Sequence, residues 1–222
     1  MAVVKFKNMV LTVIMLIGIV VSGQDTNTEK ENGELKVGDE APKFALLTLE
    51  GNYETLSRWC GKQLSRPASQ PDRYVVVASF FATWCSPCMK ELPHLQNLYE
   101  KYEGQLVKFF LIDITEATRT MEKYKDSPFP GPFLKEKGMT LPILIDRYGM
   151  AMEKYVPDKM LPRLFVMDKY RTIRLIKRGF TEEEDFEKDL SGLIDELLGE
   201  ALITNPPLSG ERRLQEIEAG EE

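Results

Sequence analysis

The sequence predicts an α/β domain built on a central mixed β-sheet flanked by helices, and three observations carry that prediction. A continuous apolar and β-branched run, Tyr74 to Phe81, reads as a strand buried on both faces. Leu92, Leu95, Leu98, Tyr99 and Tyr102 then recur at helical spacing, and a second apolar run, Leu106 to Ile114, follows, which together suggest a right-handed parallel strand, helix, strand unit. Later, Arg163–Met167 and Thr172–Lys177 flank a turn at 168–171 and read as an antiparallel hairpin. With 222 residues, 43% of them hydrophobic, the chain is long enough for one domain with a sizeable core.

Taken in order, residues 1–23 carry two lysines, no acids and the apolar run Met9–Val21, the pattern of a secretory signal peptide or an uncleaved N-terminal anchor. The run is short of the roughly 20 apolar residues a membrane span needs, so a signal is the better reading. Residues 24–34 are polar and are expected to be a flexible tether. The domain is expected to span 35–200. It opens with an extended lead-in at 35–42, a short strand at 44–47 and a turn at Gly51-Asn52. Ser57–Arg73 reads as an unusually long connection before the first buried strand. The helix is expected over Met89–Glu103, with Pro93 inside it as a kink. Another helix is expected at Thr118–Lys125, a loop at Ser127–Phe133, a strand at Pro142–Ile145 and a helical turn or two at Met150–Tyr155. Thr181 with Glu184 matches a capping box opening a last helix through about Leu198, its apolar face formed by Phe186, Leu190, Leu193, Ile194 and Leu197. Residues 201–222 read as an acidic, disordered tail.

Composition excludes several functions. A net charge of −6 with no basic stripe argues against nucleic acid as a partner. Three cysteines are too few for a disulfide scaffold, and a single histidine excludes a multi-histidine metal site. What remains is Trp84-Cys85-Ser86-Pro87-Cys88, a C-x-x-C where a buried strand turns into a helix. At a helix N-terminus the unpaired N–H groups and the dipole favour a thiolate, so Cys85 is expected to be the exposed attacking nucleophile. Cys88, deeper in the helix, is expected to resolve the mixed disulfide. A structural disulfide closing so small a loop would stabilise little. A haem site would need histidine where Met89 stands. A zinc site built from Cys60, Cys85, Cys88 and His94 lacks a second C-x-x-C.

Phe80-Phe81-Ala-Thr-Trp-Cys-Ser-Pro-Cys88 with Lys90-Glu91-Leu92-Pro93 resembles the thioredoxin superfamily, and within it the exported TlpA/ResA-type thiol-disulfide oxidoreductases. The lead-in Val37–Pro42, Pro142–Asp146 and Leu161–Asp168 fall in the order that family shows, and the resemblance spans about residues 35–198. It implies a thioredoxin-like fold with an N-terminal β extension and a segment inserted between the second strand of the parallel unit and the hairpin. Pro162 is then the cis-proline opposite the disulfide, exposing the backbone of Leu161 to a substrate peptide. Glu91 matches an acid kept near the cysteines and becomes the candidate proton acceptor for Cys88. Ser79 stands where thioredoxins carry a buried aspartate, and Trp84 is expected to pack beside the disulfide. Cys60 has no counterpart and is expected to be a free, partly buried thiol, and His94 is expected to be a helix residue without a catalytic role.

The resemblance implies an exported, periplasmic exchanger of protein thiols and disulfides, more reductant than oxidant, with a place in cytochrome c maturation. Its partners are protein substrates and an unidentified membrane or periplasmic redox donor, with membrane contact only through an uncleaved N-terminal segment. No cofactor beyond the Cys85/Cys88 pair and no metal is expected. Two alternatives stay open. Gly38–Phe44 also resembles the lead-in of peroxiredoxins, which would make the protein a thiol peroxidase, although those place a lone cysteine in a different context. A copper(I) metallochaperone could use the two soft thiolates, although no methionine or histidine cluster flanks them.

Overall fold

The computed structural model describes residues 33–182 and 185–202. The expected signal segment, most of the tether, Glu184 and the tail beyond 202 lie outside them. Among the described residues no helix is long and apolar enough to cross a membrane.

Seven strands form one mixed sheet. In chain order they are β1 (Ala45–Thr48), β2 (Tyr53–Thr55), β3 (Val75–Phe81), β4 (Val107–Asp113), β5 (Ile143–Ile145), β6 (Arg163–Met167) and β7 (Ile173–Arg178), and they lie side by side as β2-β1-β5-β4-β3-β6-β7. β3, β4 and β5 are parallel, whereas β6 and β7 continue the sheet antiparallel on one side and β1 and β2 on the other. Every residue of β3 is buried, as a strand flanked by neighbours on both edges and covered on both faces must be. The predicted N-terminal β extension is the β1–β2 hairpin at one edge. The lead-in before it crosses to the other edge, where Gly38 and Ala41 donate to the carbonyls of Ile173 and Arg171.

Helix α1 (Ser86–Lys101) follows β3, and α5 (Phe186–Gly199) packs on it through Tyr102, whose hydroxyl donates to Asp195 Oδ1 at 2.7 Å. Three shorter helices, α2 (Thr115–Thr118), α3 (Pro130–Glu136) and α4 (Met152–Tyr155), decorate the connections. Asp146, just past β5, holds the start of α4 by accepting the N–H groups of Ala151 and Met152 at 3.0 and 2.7 Å.

Four expectations need correction. The helix expected at Thr118–Lys125 is instead α2, ending at Thr118, and a single 3₁₀ turn at Glu122–Tyr124. Ser127–Phe133 is not all loop, because Pro130 and Pro132 fall in the first turn of α3, where a proline's missing N–H costs no helix bond. The cap of α5 is Asp185 rather than Thr181. Finally, α1, with Pro93 inside it as expected, starts at Ser86, three residues earlier than its apolar spacing indicated, and ends at Lys101. Those first residues are polar or small, so periodicity gives them no signal.

Candidate active site

Two chain segments converge on the N-terminus of α1. Pairing of β3 with β6 places Phe80 opposite Arg163, so Pro162 and Leu161, which precede Arg163, come alongside the residues that leave β3 toward Cys85. The Leu161–Pro162 bond is cis.

Cys85 and Cys88 form a disulfide with their Cα atoms 5.3 Å apart. Cys85 is the N-cap of α1, and its Sγ accepts the N–H of Cys88 at 3.2 Å. That bond directs one of the helix's otherwise unpaired donors at the sulfur, where it favours developed negative charge. The expectation of an exposed Cys85 needs correction: only 4% of it is accessible, against 0% for Cys88. The order is as expected, but an N-cap seated between the end of β3 and the first turn of α1 is nearly as buried as the helix residue behind it.

One helical turn beyond Cys88 lies Glu91, 1% exposed. Its Oε2 accepts the Ser79 hydroxyl at 2.7 Å, and its Oε1 has no hydrogen-bond partner. Burial pushes the Glu91 carboxyl up to about 7, with the Ser79 bond and the charge of Lys177 acting the other way. Ser79, on β3, therefore supports an acid reaching in from α1.

Trp84 is half-buried and held by the segment after β4. Its indole lies against Tyr124, ring centroids 3.8 Å apart and 8° from parallel, and Nε1 donates to Thr118 Oγ1 at 2.9 Å. Thr83 is gripped from the same side: its N–H donates to Thr115 Oγ1 at 3.0 Å and its hydroxyl to the Pro128 carbonyl at 2.9 Å. Thr115 donates in turn to Oδ1 of Asp113 at 2.5 Å. Asp113 is fully buried, its Oδ2 has no hydrogen-bond partner, and burial raises its carboxyl to about 7. Sequence reading missed Asp113, Thr115 and Tyr124. The available signal for the first was an acid interrupting the apolar run of β4.

The remaining candidates stand apart from this chemistry. His94 joins α1 to α5, its Nδ1 2.7 Å from Glu187 Oε1. Cys60 is free, as expected, but fully rather than partly buried, with its Sγ 3.9 Å from the Leu56 carbonyl, and burial pushes its thiol far above the usual range.

Residues 37–176, which hold the disulfide, the acid behind it and the cis-proline, match the model of the AhpC/TSA family. The chain belongs to the AhpC/TSA family. Among the relatives of this AhpC/TSA protein, the thiol-disulfide oxidoreductase ResA of Geobacillus kaustophilus is 30% identical over 184 residues, covering 82% of this chain and 93% of the relative. The thioredoxin-like protein YneN of Bacillus subtilis is 28% identical over 165 residues, covering 74% and 84%. A crystal structure described as a thiol:disulfide interchange protein DsbE from Chlorobium tepidum superposes with a TM-score of 0.57 at 25% identity, covering 75% of this chain and all of that one. The protein is thus a thiol-disulfide oxidoreductase of the ResA type with a thioredoxin-like fold, as the motif resemblance implied.

Proposed function

We propose that this protein is exported and reduces disulfides of other proteins, with Cys85 attacking, Cys88 resolving and Glu91 taking the proton of Cys88. The observation that carries the reading is the alignment along α1: the capping sulfur of Cys85, then Cys88 one turn in, then a buried carboxyl poised near neutrality.

In the reduced protein the Cys85 thiolate attacks one sulfur of a substrate disulfide, forming a mixed disulfide and releasing the other substrate sulfur as a thiolate. The Cys88 thiol then gives its proton to Glu91, and its sulfur attacks Cys85 Sγ. The Cys85–Cys88 bond forms, the substrate's second thiolate leaves, and two electrons have passed to the substrate. A carboxyl near neutrality is suited to the middle step, because a base works best when its pKa lies near the working pH. Trp84 and the backbone of Leu161 beside Pro162 supply the docking surface, the peptide adding to the chain as an extended strand. A dithiol donor at the membrane or in the periplasm restores the reduced state, and residues 1–23 provide export. Reduced apocytochrome thiols awaiting haem are the substrate class that the resemblance to TlpA/ResA proteins suggests.

The test is a reduction potential measured for the Cys85/Cys88 pair together with insulin-disulfide reduction by the wild type and Cys85→Ser. A potential near the roughly −270 mV of thioredoxin and complete loss of activity in the variant are expected; a value near the roughly −120 mV of a strong oxidant would reverse the direction of transfer.

A further inference from the structure

The loop that leads into the docking residues is pinned by an ion pair between a buried arginine and an aspartate at the surface. Arg163, the first residue of β6, is 1% exposed, and its Nη2 reaches both carboxylate oxygens of Asp158 at 2.9 and 2.7 Å. Asp158 Oδ1 also accepts the N–H of Met160 at 3.1 Å. The loop between them is tightly folded: Lys159 donates to the carbonyl of Val156 at 2.9 Å and holds a φ of 56°, a left-handed conformation uncommon for a residue with a side chain. Within this turn Met160 is turned outward, 61% exposed, next to Leu161 and Pro162.

An arginine buried at this point has a cost that is offset only if its partner stays in place, because an unpaired buried guanidinium is strongly unfavourable. Nε of Arg163 has no hydrogen-bond partner, and Asp158 is the carboxylate that pairs with its Nη2. Burial alone would raise the Asp158 carboxyl, but the Met160 N–H and Arg163, with Arg178 nearby, hold it below its usual range and keep it ionised. Releasing the loop therefore means stranding a charge in the interior.

From this geometry we infer that Asp158 and Arg163 are positioning residues for protein substrates: they fix Met160 and Leu161 in one conformation, so that a partner with an apolar residue beside its cysteine meets a preformed edge. The inference deepens the docking role proposed for Leu161 and rests on it. A partner that must order the loop on binding would lose affinity to that ordering, whereas a held loop has already met the cost. A small disulfide that touches only Cys85 gains nothing from the loop. The pair therefore selects for protein over small-molecule disulfides without altering the sulfur chemistry.

The experiment compares wild type with Asp158→Asn in the reduction of insulin and of oxidised glutathione. The expected result is a KM for insulin raised about tenfold with kcat within about twofold, and an unchanged rate with glutathione disulfide. Equal losses on both substrates, or no loss on either, overturn the inference. Should Asp158→Asn fail to fold, the double variant Asp158→Asn with Arg163→Met, which leaves no buried charge unpaired, gives the same readout. A cysteine peptide trapped on Cys85 in a Cys88→Ser background separates the inference from the reading beneath it. If the peptide does not slow hydrogen exchange at the Leu161 amide, the docking role falls and the pair's role with it. If exchange slows equally with and without Asp158→Asn, docking stands and the ion pair's part is refuted.

Discussion

Glu91 and Cys88 share one face of α1 because three residues make almost one helical turn, and both are buried. At this scale Glu91→Gln should slow the resolution step while sparing the attack by Cys85. Single-turnover kinetics should show the mixed disulfide accumulating, with resolution slowed about 10²-fold at pH 7. Unchanged decay of the mixed disulfide would remove Glu91 from the mechanism. Cys88→Ser should trap the same species outright, visible as a covalent adduct by mass spectrometry. The role of Ser79 also belongs to single residues. It is too short to act itself, yet its hydroxyl fixes the rotamer of an acid twelve positions later.

Between elements, the chain between β4 and α3 acts as a brace for the loop that carries Trp84. Thr115 and Thr118 on α2 and Tyr124 in the 3₁₀ turn each contact Thr83 or Trp84 directly. Tyr124→Ala should remove a stacked aromatic pair worth about 1 kcal/mol beyond its area, lowering the thermal midpoint by a few degrees. It should also loosen Trp84, which indole fluorescence anisotropy in a Trp59→Phe background would report. The same scale shows what sequence patterns can reach. β3, β4, β6, β7, α1 and α5 follow from runs and spacings within a few residues, since burying one face of a strand or helix imposes a local period. The start of α3 and the cap of α5 do not, because neither Pro130 nor Asp185 belongs to an apolar repeat.

Across the whole molecule, the two buried carboxyls at about 7, Glu91 and Asp113, tie stability to pH. In the unfolded chain these groups ionise near 4, in the folded protein near 7. Between those values the unfolded state has lost protons that the folded state keeps, so stability falls as pH rises from about 4 to 7 and then levels off. Each group contributes roughly 3 to 4 kcal/mol to that fall. Urea denaturation at pH 5 and pH 8 should show Glu91→Gln and Asp113→Asn each flattening the slope, with both variants gaining on the wild type at pH 8. Variants whose pH dependence matches the wild type's would refute the raised carboxyls.

Some of the site was legible before the fold because its chemistry is written in adjacent residues, Cys85 at a strand-to-helix junction and Cys88 one turn on, whereas Glu91 entered only through the family resemblance. The sequence alone therefore determined the redox pair, the fold class and the direction of α1. The grip on Thr83, by contrast, joins residues 32 and 45 positions apart, and the Ser79–Glu91 bond spans two elements. Asp158 and Arg163 are only five apart, yet nothing in their spacing says that the arginine is buried and the loop folded back upon it. Such contacts depend on which strands become neighbours, a global choice set by burying the sheet on both faces, and only the tertiary structure decides which polar groups that choice brings together inside.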